Sequence, residues 1–188
     1  MTGTYELLGV ASASQGASGL SVTNIPQTFD DLEVIFCLQS TSNNPADFKI
    51  VLNNSSSSWY LNSVFGMKNA TGFFDTGSGQ QSGWKIYGGV GNGATGLLAK
   101  SQSFVKLYIP DYTEGGGSVG SLPFWGNMIG SIITTSGGNS SYNNISFSSA
   151  NTDNSDSFPV VSVASAQFGN SVTYQANSFM AVYGISRS

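Results

Sequence analysis

The 188-residue sequence predicts an all-β protein built as a two-sheet antiparallel sandwich, in particular a jelly roll, and three observations carry that expectation. Short apolar or alternating runs are separated by clusters of Gly, Asn, Ser and Pro. Nowhere do apolar residues recur at helical spacing between helix caps. The number and spacing of the runs favour two packed sheets over a closed barrel. The length fits one domain over residues 1–188, large enough to bury a core, with Met1 to Thr4 as a short N-terminal arm.

Taken in order, the strands expected from these runs are Tyr5 to Ala11, Leu20 to Ile25, Leu32 to Gln39 and Phe48 to Leu52. Trp59 to Met67, Trp84 to Gly88 and Phe104 to Ile109 follow. The last four are Phe124 to Ile133, Ile145 to Ser148, Val160 to Ala164 and Ser178 to Ile185. Gly72 to Ser82, rich in Gly and Ser, reads as a loop excursion. In Phe104–Ile109 the faces can be assigned, because Val105, Leu107 and Ile109 alternate with Phe104, Lys106 and Tyr108, and the lysine marks the second set as outer. Pro110 lacks the donor a ladder needs and ends the strand, and Asp111 to Gly117 reads as a flexible surface loop. In the last strand Phe179, Ala181 and Tyr183 alternate with Met180 and Val182.

Composition excludes whole classes of function. With no histidine, the usual general base near neutral pH and the commonest metal ligand are both missing. No catalytic, cofactor-binding or metal-ligating residue is therefore assigned, and the expectation is a protein that is not an enzyme. Six Lys and Arg at a net charge of -4 cannot form the stripe that neutralises phosphates, so no nucleic-acid partner is expected. No stretch approaches a membrane span, and the first residues have neither a basic nor a long apolar segment. Cys37 sits in the apolar run Val34 to Leu38 and reads as a small buried hydrophobe.

Several weaker patterns are set aside on physical grounds. Gly91 to Gly96 matches a dinucleotide-type glycine pattern, but Leu97 to Ser101 is too short for the helix that would hold a pyrophosphate. Asp30, Asp31 and Glu33, and separately Asp153 with Asp156, could contribute to a hard-cation site, yet neither set supplies six or so oxygens. They read as solvated turn residues. Asn69-Ala70-Thr71 has meaning as a glycosylation site only on a secretory route. Trp59-Tyr60, Phe73-Phe74, Trp84, Tyr87 and Phe124-Trp125 adjoin polar loops, where aromatic platforms bind sugars or proteins. Adjacent strand residues point to opposite faces, so at most half of them are available.

Charged residues are only 9% of the chain, against about 25% in ordinary soluble domains. A neutral surface of hydroxyls and amides without a signal peptide suits a virion component made in the host cytoplasm. Three segments agree. Tyr5 to Ala11 followed by Leu20 to Leu32, with Ile25-Pro26-Gln27-Thr28-Phe29-Asp30-Asp31-Leu32, resembles the start of a family of virion structural proteins of tailed bacteriophages from aquatic bacteria. Val105 to Tyr112 is similar to that family's Ile-x-Ile-Pro-Asn-Tyr segment, and Ala181 to Ile185 to its closing Leu-Tyr-Gly-Ile strand. The wholly apolar Val34 to Leu38 departs from the family, which carries arginine there.

What the resemblance implies is a structural virion protein without catalytic residues, either a capsid decoration (cement) protein or a fibre-associated module. The first expectation is the cement protein, on the outer capsid surface, partnered by the major capsid protein and by copies of itself, as a trimer. A receptor- or carbohydrate-binding module of a tail fibre or spike, with a glycan as partner, is the alternative. Both readings use the same fold. A fibre head is expected to follow an elongated shaft repeat, and residues 1–188 hold no such repeat, so the cement reading is the expected one.

Overall fold

A computed structural model of the chain describes residues 3–39, 46–54, 60–68, 72–81, 84–90, 103–113, 126–136, 140–152, 159–167 and 173–187. Every element in these segments is a strand: β1 (Thr4–Ser12), β2 (Gly19–Thr23), β3 (Asp31–Leu38), β4 (Ala46–Leu52), β5 (Tyr60–Lys68), β6 (Gly72–Gln81), β7 (Trp84–Val90), β8 (Ser103–Ile109), β9 (Gly126–Ser136), β10 (Ser140–Thr152), β11 (Ser162–Gln167) and β12 (Phe179–Ser186). They form an eight-stranded sheet ordered β1-β12-β3-β8-β9-β10-β5-β6 and a four-stranded sheet ordered β2-β11-β4-β7. All pairings are antiparallel.

The order follows from a simple winding. β1 pairs with β12, β2 with β11, β3 with β8 and β4 with β7, as in one long hairpin of strand pairs. Rolling that hairpin up adds the pairings β12 to β3 and β11 to β4. These eight strands therefore have the jelly-roll order, two Greek keys shared between two sheets. The hairpins β5-β6 and β9-β10 are additions to it, and both extend the larger sheet beyond β8.

Alternation along each strand places the core between the sheets. Leu32, Val34, Phe36 and Leu38 of β3, Val105, Leu107 and Ile109 of β8, and Met180 and Val182 of β12 pack in one cluster with Leu20 and Val22 of β2, Ile50 and Leu52 of β4, and Val163 of β11. The face assignment read from Lys106 is correct: Val105, Leu107 and Ile109 are fully buried, while Phe104 is 47% exposed. At the sandwich edge a β-bulge between Leu7 and Gly9 brings β1 down onto β2, and a Cβ at Gly9 would meet Val22 Cγ1 at 2.7 Å.

Three expectations are corrected. Gly72 to Ser82 is not a loop excursion, because β6 covers Gly72–Gln81. Weak strand formers are held there by the ladder to β5, from Tyr60 opposite Gln81 to Lys68 opposite Gly72. Thr4 is not part of an arm, since it opens β1 opposite Ser186. Tyr112 does not sit in a surface loop. It is fully buried, it donates its hydroxyl hydrogen bond to the Pro26 carbonyl, and its carbonyl accepts from the Val160 amide at 2.9 Å. Asp111 takes a left-handed φ of 47°, which turns the chain sharply after Pro110 and lets Tyr112 drop inward. Phe124 and Trp125, expected at the start of β9, lie outside the described residues, as does Trp59.

Candidate functional site

The outer face of the larger sheet is the feature that stands out chemically. Residues directly opposite in an antiparallel pair share a face, so the register defines rows that run across the strands. One row is Ser12, Phe179, Cys37 and Phe104. The next is Val10, Ala181, Ile35 and Lys106, and the third is Leu7, Tyr183, Glu33 and Tyr108. Tyr5, Ile185 and Asp31 form the fourth. On this face Tyr5 and Leu7 are each 51% exposed, Val10 54% and Phe179 37%. Exposed apolar residues gathered on one rigid sheet face are characteristic of an interaction surface.

Charge on the face is compensated locally. Glu33 is buried although it points away from the core, and it accepts a hydrogen bond from Tyr5 Oη and pairs with Lys106 Nζ. Tyr5 reaches it by stacking on Tyr183, with ring centroids 4.7 Å apart and planes 24° from parallel. Burial, followed by the hydrogen bond to Glu33, holds the Tyr5 hydroxyl well above its ordinary ionisation range. Cys37 is half-buried, and burial pushes its thiol up, away from the reactive thiolate.

At the lower rim a second set of groups ties the C-terminal strand to the turn after β8. Asp31, 1% exposed, accepts from Tyr108 Oη at 2.6 Å, from the Asp111 amide at 3.0 Å and from Arg187 Nη2 at 2.8 Å. Arg187 also pairs with Asp111, and its amide donates to Asp30. Burial and the hydrogen bond to Asp31 push the Tyr108 hydroxyl up to about 12. Asp31 and Glu33 are thus not solvated turn residues, as their sequence position suggested. Their oxygens are committed to protein donors, and among the described residues no group of three His, Cys, Asp or Glu side chains could hold a metal ion.

Asp153, Asp156, the Gly91 to Gly96 pattern and Asn69-Ala70-Thr71 lie outside the described residues. Of the aromatic pairs singled out in the sequence, Tyr60 falls in β5, Phe73 and Phe74 in β6, and Trp84 and Tyr87 in β7. The exposed side chains Tyr5, Leu7, Val10 and Phe179 were not picked out by sequence reasoning. Phe104 was, through its position two residues from Lys106.

No protein-family model, curated protein or solved structure matches the chain. Fold and face together define an all-β, two-sheet antiparallel sandwich that exposes an apolar sheet face.

Proposed function

We propose that the chain is a non-catalytic virion structural protein, a capsid decoration (cement) protein of a tailed bacteriophage that works by assembly. The observation that carries this reading is the apolar outer face of β1, β12, β3 and β8, in which Tyr5, Leu7, Val10, Phe104 and Phe179 remain exposed. A domain that acts by contact needs a stiff platform and a surface whose burial is favourable, at about 25 cal/mol per Å² before ordering costs. Repetition on a symmetric shell lets modest contacts suffice. The partners under this reading are the major capsid protein and further copies of the chain. The resemblance of Ile25 to Leu32, Val105 to Tyr112 and Ala181 to Ile185 to phage virion proteins points the same way.

A glycan-binding role draws support from the same exposed aromatics, but two tyrosines of this face already spend their hydroxyls. Tyr5 donates to Glu33 and Tyr108 to Asp31. Sedimentation of the purified protein with capsids that lack it, beside a host-cell binding assay, tests the proposal. Saturable, stoichiometric binding to capsids and none to cells is expected. Binding to cells without binding to capsids would overturn it.

A further inference from the structure

We draw no further inference here: the strongest candidate, the apolar outer face of β1, β12, β3 and β8 on which Tyr5, Leu7, Val10, Phe104 and Phe179 remain exposed, carries none beyond the proposal above because nothing in the structure shows what covers it.

Discussion

Phe29 lies against Gly184, so closely that a Cβ built on the glycine would stand 2.5 Å from Cγ of the ring. Gly184 belongs to β12, opposite Leu32 of β3, and the missing side chain lets the ring of the Pro26 to Asp30 turn close against the sheet. Gly184→Ala should therefore cost about 1–3 kcal/mol by overpacking. With Phe29→Ala in the same chain, the combined loss should fall well below the sum of the two single losses. Denaturant unfolding of the four proteins measures this, and strict additivity would show that the two residues do not meet.

Leu107 and Lys106 should differ sharply for reasons of face. Leu107→Ala opens a cavity in a fully buried site and should cost about 2–5 kcal/mol. Lys106→Ala leaves Glu33, only 8% exposed, without its cation. Because Lys106 is itself 45% exposed, the loss should be about 1–2 kcal/mol, well short of that for a fully buried pair. Chevron or equilibrium unfolding in urea separates the two.

Asp31 should matter more than its surface position in the sequence suggests. Asp31→Ala strands the Tyr108 hydroxyl and the Asp111 amide and should cost about 2–4 kcal/mol. Arg187→Ala removes only one of three donors, from an exposed side chain, and should cost clearly less. Thermal melts of both variants check the ranking.

High pH should unfold the protein in a defined window. Burial holds the hydroxyls of Tyr5, Tyr108, Tyr112 and Tyr174 above the ordinary value of 10.0, those of Tyr108 and Tyr174 to about 12. In the unfolded chain these groups release protons near pH 10, while the folded chain keeps them. The folded state therefore binds more protons in this range, and stability falls as pH rises. The contribution should be complete below about pH 10 and lost as pH approaches about 12. Absorbance at the tyrosinate band, followed beside circular dichroism, should show these tyrosines ionising late and together with unfolding.

How much of this was legible in the sequence depended on whether a residue's role was set locally. Val105, Leu107 and Ile109 announced their face because Lys106 stands among them. β6 carried no such mark: Gly77 and Ser78 read as loop, and only pairing with Ser63 and Asn62 of β5 makes them strand. Asp31 and Glu33 looked like turn acids because their partners Arg187, Tyr108, Tyr5 and Lys106 are remote in the chain. Tyr112 was hidden by the glycines after it. Of the candidate surface, Phe104 was readable, while Tyr5, Leu7 and Val10 became a surface only when β12 aligned them beside Tyr183 and Phe179.

β12 sits between β1 and β3, and that position sets an order of events during synthesis. A ribosome finishes β3 at Leu38 long before it reaches Phe179, an interval of about 7 to 28 seconds at about 5–20 residues per second. Until then β1 and β3 have no shared neighbour, and the edge of β3 that faces away from β8 stays unpaired. Only the arrival of β12 joins them.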